Sequence, residues 1–262
     1  MNKLLLCLGN EFSKSFINWT FFKTNALVRM INMAITFSGF MMVYHRGAVS
    51  ESVLSGQIFA FSFWVIGFYL FADMSWALID EMQAGTLEQV YMSRYPSVYI
   101  WFSRMTSSFC IALCNVFGIV LLLKCIFGVT VAFSLPLLFL AVALMPELIG
   151  IAFFLGGLTM RIKKTEALVG FIYTACLYLS GAIVPFADYP VYMQKYRVFF
   201  PAAQGIALVH ESIARNMSLF DLVTDSRFFV VILHSLILCI LGITFFRWSE
   251  KRLRRDGNYA IY

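Results

Sequence analysis

Six long apolar stretches, at about 26–44, 56–79, 104–127, 132–159, 167–185 and 228–247, follow one another with only short polar breaks and fix the solvent in which this chain folds. A helix needs roughly 20 mainly apolar residues to cross the hydrocarbon core of a bilayer. The expected fold is therefore an all-α membrane protein with six transmembrane helices, forming one domain over 1–262. Composition agrees: 61% of residues are hydrophobic and 13% charged, against about 25% charged in soluble domains. The mean hydropathy is +0.81. Outside the six stretches lie short loops and one longer segment, 186–227, which leave no room for a soluble catalytic domain.

The basic residues set the orientation. An even number of spans puts both termini on one side of the membrane, and thirteen Lys and Arg residues fall on that side against six on the other. By the positive-inside bias both termini are expected in the cytoplasm. The net charge of +6 is spread over loop ends and is not gathered in a stripe with interleaved aromatics, so no nucleic-acid partner is expected. The C-terminal run RWSEKRLRR suits the anionic inner leaflet of a lipid bilayer. The six cysteines lie mainly in apolar stretches without CxxC spacing and read as small buried hydrophobes, so no metal site is expected.

The first 22 residues set Leu4, Leu5, Leu8, Phe12, Phe16 and Trp19 against Asn10, Glu11, Lys14 and Asn18 at helical spacing. This pattern predicts an amphipathic interfacial helix over 1–22, and no small-residue cleavage site supports a signal peptide. The first span carries Asn25, Arg29, Asn32, Thr36 and Ser38, too much polarity for a helix surrounded by lipid, and is expected to face protein. In the second span Phe61, Trp64, Phe68 and Phe71 recur at steps of three and four. Such a stripe is commonly a packing or lipid-facing surface; its other reading is an aromatic wall of a substrate pathway.

Between the second and third spans the run IDEMQAGTLEQVYMSRYP is polar and acidic, and 80–97 is expected to lie just outside the membrane as a docking loop. Gly85 allows a sharp break. Thr86 then stands where an N-cap belongs, before a short helix with Leu87, Val90 and Tyr91 on one side and Glu88 and Gln89 on the other. Glu81, the Gly85-Thr86-Leu87-Glu88 run, Ser93 and Pro96 resemble the membrane-spanning permease subunits of type-2 ABC exporters, although Arg94 and Tyr95 separate Ser93 from Pro96 where that family commonly joins them. The resemblance implies a coupling helix that sits in a cleft of a separate ATPase subunit. It also matches the N-terminal helix to the family's elbow helix, and implies that the first and fifth helices form a dimer interface while the second and fifth line the pathway.

After the fifth stretch the sequence remains fairly apolar but carries Pro185, Pro190 and Pro201, breaks that one spanning helix cannot absorb. Non-helical backbone at membrane depth is tolerated where protein or a water cavity covers it, so 181–206 is expected to be a re-entrant hairpin. Ser180-Gly181 with the three prolines matches the family's pattern, which implies an outer gate. Glu147 falls near the middle of the fourth span, where a charge costs at least about 2.5 kcal/mol. A structural bond to a neighbouring helix is the favoured reading; protonation and contact with a cationic substrate are the others. Asp73 stands nearer the cytoplasmic end of the second span and could face the pathway, and His234 could pair with a polar neighbour.

No Gly-x-x-x-x-Gly-Lys-Ser/Thr loop occurs, so ATP and Mg are expected to be used by a partner and no cofactor to be bound by this chain. The reading is the permease of an ATP-driven exporter in a bacterial inner membrane, with two copies of an ABC ATPase subunit and a second permease, identical or paralogous. A hydrophobic or amphipathic substrate such as a drug, peptide or lipid is expected, because the N-terminal stretch lacks the Arg/Asp-rich character of polysaccharide exporters. An ion-coupled secondary transporter is the alternative, though the chain has one broken region and no internal repeat.

Overall fold

The structure, a computed structural model, describes residues 3–44, 51–128, 134–162, 165–185 and 188–257. Among these the chain is all-helical. In order the helices are α1 (Lys3–Phe21), α2 (Lys23–Tyr44), α3 (Glu51–Gln83), α4 (Leu87–Met92), α5 (Ser97–Phe127), α6 (Leu135–Ile162), α7 (Glu166–Leu179), α8 (Val191–Lys195), α9 (Ala203–Ala214), α10 (Leu219–Thr224) and α11 (Ser226–Asp256).

Four of them, α3, α5, α6 and α11, are long and apolar enough to cross a membrane. Each outruns its apolar stretch at one end or both, because a helix continues beyond the hydrocarbon into polar residues such as Asp80, Arg104 and Arg252. The first and fifth expected spans are occupied by helices of different character. α2 has 22 residues but keeps the polar groups seen in the sequence. α7 has only 14 residues, short of the 167–185 expected, because Gly181 takes φ +83° and the chain bends through Ala182–Val184. A side chain with a Cβ disfavours that left-handed region, which makes Ser180-Gly181 a stop.

α3 is the central helix, with 83% of its most apolar stretch buried, against 22% for α5 and α11. It packs on α5, α6, α7 and α9, while α11 lies along α6. The α6–α11 contact is made by two glycines. A Cβ on Gly242 would stand 1.9 Å from the Gly150 carbonyl oxygen, and one on Gly150 would stand 2.4 Å from the Leu238 carbonyl oxygen. Close backbone approach of this kind drives helix association where lipid offers no hydrophobic gain.

α1 is a helix over the expected segment, but it does not separate two faces by exposure. Leu5, Phe12, Phe16 and Ile17 are exposed, as are Asn10, Lys14 and Asn18, while Glu11 is buried and turned toward α5. Trp19 donates from Nε1 to Asn115 Oδ1 at 3.4 Å, a second tie between α1 and α5.

Candidate coupling site and buried polar centres

The end of α3 is a Schellman stop. Thr86 N–H donates to the Glu81 carbonyl (3.0 Å) and Gly85 N–H to the Met82 carbonyl (3.4 Å), with Gly85 at φ +68°. The turn delivers the chain straight into α4, whose two faces are those read from the sequence: Leu87 is fully buried, Val90 and Tyr91 half-buried, and Glu88 and Gln89 exposed. Met92 is 73% exposed, so the outer face mixes polar groups with one large apolar side chain.

Thr86 stands at the N-cap position but makes no side-chain cap to α4. Its hydroxyl donates instead to the Glu81 carboxylate, which the Schellman turn has brought alongside. Glu81 also accepts from Arg104 of α5 at 2.5 Å. Arg104 in turn pairs with Glu11 of α1 at 3.3 Å and stacks over the Trp101 ring at 4.9 Å, and Lys14 reaches Glu11 at 3.3 Å. Glu81 is only 18% exposed and so ties the loop to α5 and α1.

α11 braces the other side. Arg254 lies over the Tyr91 ring at 4.5 Å and pairs with Glu250 at 2.5 Å, while Ser97 Oγ donates to Glu250 at 2.5 Å. Tyr91 Oη contacts Met160 Sδ at 3.7 Å. Sequence reasoning missed Glu11, Arg104, Glu250 and Arg254 as members of this site; the one signal available was their clustering on the terminal side. At the end of α6, Arg161 lies over the Trp248 ring of α11 at 4.1 Å.

At the opposite end, Ser180 is buried, Pro185 and Pro201 half-buried and Pro190 exposed. Pro190 and Pro201 precede α8 and α9, so each marks a restart of the chain. α9 runs to Ala214, beyond the expected limit of 206, and buries Ala203, Gly205, Ile206, Leu208 and Val209 against α3, α6 and α11. Gln57 Nε2 donates to the Ile183 carbonyl at 3.1 Å, satisfying non-helical backbone.

Glu147 is 1% exposed and sits at the start of α9. It accepts the Ala202 N–H at 2.7 Å and the Ser235 hydroxyl at 3.3 Å, and His234 Nδ1 lies 3.4 Å away. One carboxylate therefore joins α6, α9 and α11, which is the structural bond favoured from sequence, with His234 as the polar neighbour. Ala202 holds φ +59°, a backbone state that an Ala adopts only when its surroundings enforce it. Below it Arg227 bridges Asp225 (2.5 Å) and Glu211, joining α9 to α11, and these hydrogen bonds hold the Asp225 carboxyl below its ordinary range.

The aromatic stripe is packed against protein. Trp64 and Phe68 stack with Tyr173 of α7 at 4.9 and 4.5 Å, Trp64 Nε1 donates to the Tyr173 carbonyl at 3.2 Å, Phe61 meets Phe37 of α2 at 4.9 Å, and Phe71 is buried. Asp73 differs from these: it is half-buried and lines a cleft of about 730 Å³ between α1, α2, α3 and α5.

A comparison with curated proteins yields no match. A comparison with protein families matches residues 3–214, from the start of α1 to the end of α9, to the ABC-2 type transporter family. A chain with this match, four membrane-length helices and a braced acidic loop between two of them belongs to the ABC-2 type transporter family and is a permease subunit of an ABC transporter.

Proposed function

We propose that this permease works as an exporter and that the outer face of Gly85–Met92 docks on a separate ATPase subunit. The observation that carries the reading is the division of labour in the loop: Glu81, Thr86 and Leu87 are turned inward and fixed, while Glu88, Gln89 and Met92 are presented outward on a stop that Gly85 makes possible. A rigid protrusion transmits displacement; a mobile one would absorb it. ATP, with Mg, is bound and hydrolysed by the partner, and closure of two ATPase copies pushes the loop against α3 and α5, shifting the population of membrane states. Both termini and the loop lie in the cytoplasm of a bacterial inner membrane.

α2 and α7 complete a six-span topology, and 181–206 folds back as an outer gate held by Glu147. A second permease, identical or paralogous, covers the exposed Val28, Ile31 and Ile35 of α2 and closes the pathway. The substrate is hydrophobic or amphipathic. Trp64 and Phe68, packed here on Tyr173, become accessible to it when α7 moves.

The test is co-purification of the tagged full chain with its ATPase from native membranes, followed by ATPase assay. Glu88→Lys and Met92→Asp should each abolish recovery of the ATPase while the permease still inserts; normal recovery in both overturns the docking assignment.

A further inference from the structure

The cleft lined by Asp73 shares its mouth with the brace of the loop, and its wall carries charges of both signs. At its mouth Glu11, Lys14, Glu81 and Arg104 satisfy one another. Along the same wall stand the exposed Arg29 and Asp80 and the half-buried Asp73, and no ion pair joins Arg29 to either carboxylate among the described residues. Ser108 and Arg29 line the cleft with Asp73.

Two further polar groups on this wall are short of partners. The Tyr69 hydroxyl is buried in the field of Arg29 and Asp73 and makes no hydrogen bond of normal geometry among the described residues, and neither does the buried Trp101 indole N–H. Trp19, Phe22 and Trp76 add aromatic surface, with Trp76 and Phe22 exposed. Eight residues separate Asp73 from Glu81, about 12 Å at ~1.5 Å per helical residue, which spans the step from headgroups to acyl chains.

Of these Asp73, two turns back along α3 and half-buried, is the ionisable group that most demands a partner. A simple anion would satisfy Arg29 but face two carboxylates, and a simple cation would satisfy the carboxylates but face Arg29. A molecule carrying both charges answers both. We propose that this cleft binds the headgroup of a zwitterionic phospholipid from the inner leaflet, its ammonium on Asp73 and Asp80 against Trp76, its phosphate on Arg29 and the Tyr69 hydroxyl, and its chains passing Trp19 and Phe22 into the bilayer. Arg pairs with phosphate in a bidentate fork, and an ammonium over an indole gains from the ring's negative face. The inference rests on the cytoplasmic placement of the α3 end, and it makes the cleft a loading site for an amphipathic substrate.

Three of the five tryptophans line the cleft, so they report on it. The full chain assembled with its ATPase is placed in phosphatidylglycerol nanodiscs containing a graded fraction of brominated phosphatidylethanolamine, without nucleotide, and indole quenching is followed. Quenching should saturate at a low fraction of brominated phosphatidylethanolamine but rise without saturation for brominated phosphatidylglycerol. Asp73→Asn and Arg29→Gln should each shift half-saturation about tenfold, the loss of one charge-assisted bond. Trp76→Phe should remove much of the saturable quenching, which serves if either charge variant fails to assemble. Superimposable curves for the two lipids, a selective curve unchanged in both charge variants, or undiminished quenching in Trp76→Phe would each overturn the proposal. Co-purification of the ATPase is scored separately, so loss of lipid selectivity with retained ATPase binding rejects this site and leaves the docking assignment standing.

Discussion

Replacing Glu81 by Ala should weaken ATPase binding without removing any group from the docking face. The substitution deletes two charge-assisted hydrogen bonds, one from Arg104 at 2.5 Å and one from the Thr86 hydroxyl. Bonds of this kind are worth about 1.5–3 kcal/mol each. Part returns, because Arg104 keeps Glu11 at 3.3 Å and the site is 18% exposed, open enough for water to take up some of the lost contacts. A net cost of about 2 kcal/mol shifts the braced loop toward open forms by a factor of about 30, and if only the braced form docks, affinity falls by the same factor. Titration of purified ATPase onto the permease in nanodiscs reads that fall, while hydrogen exchange over 82–93 reads the opening without the partner. Thr86→Val should lose about fivefold, near 1 kcal/mol. The charge swap Glu81→Arg with Arg104→Glu should recover part of the affinity, since it restores the pair but sets a carboxylate beside Glu11 and leaves the Thr86 hydroxyl without its acceptor. Wild-type affinity for Glu81→Ala, or a swap that restores loop protection but not binding, would refute the bracing role and return Glu81 to direct contact.

Gly242→Ala places a Cβ 1.9 Å from the Gly150 carbonyl oxygen, so α6 and α11 must separate; a loss of about 3 kcal/mol and of monodisperse protein on size exclusion is expected, whereas Gly170→Ala, with nothing within 4 Å, should leave both unchanged. Glu147→Gln turns an acceptor of three contacts into a group with one acceptor oxygen and two donors, and should lower the thermal transition by an amount equivalent to about 1–3 kcal/mol in scanning fluorimetry; an unchanged transition would refute its role in joining the three helices. The Asp221 carboxyl is held below its ordinary range by the hydroxyl and backbone N–H of Ser218. Its contribution is present above the unfolded value of about 3.9 and is lost as pH falls through the depressed folded value, so exchange protection over 219–224 should fall in acid, and that pH dependence should shrink in Ser218→Ala, which keeps the backbone bond.

Local pattern carried the sequence reading where the deciding contacts are local. The faces of α4 follow from the spacing of Leu87, Val90 and Tyr91, and Gly85 announces its own turn. The aromatic stripe kept its commoner meaning as packing, because Tyr173 lies 109 positions from Trp64 and no pattern within α3 names it. For the same reason the loop's braces were invisible: Glu81 meets Arg104 across 23 positions and Ser97 meets Glu250 across 153. Thr86 looked like a helix cap because capping is the usual use of that residue; the nearby carboxylate offered its hydroxyl a charged acceptor. Hydropathy also overstated the helical length of α7, since an apolar run does not register that Gly181 ends the regular helix after 14 residues.

The most direct test of the account places a photo-reactive amino acid at Glu88, Gln89 or Leu87 in the full chain and illuminates native membranes. Glu88 and Gln89, on the exposed face of α4, should cross-link to an ATPase subunit, and more strongly in one nucleotide state than the other, while the buried Leu87 should cross-link only within the permease. Absence of an ATPase adduct from both outward positions, with the partner present and active in the same membranes, would contradict the claim that this loop is where ATP-driven motion enters the chain.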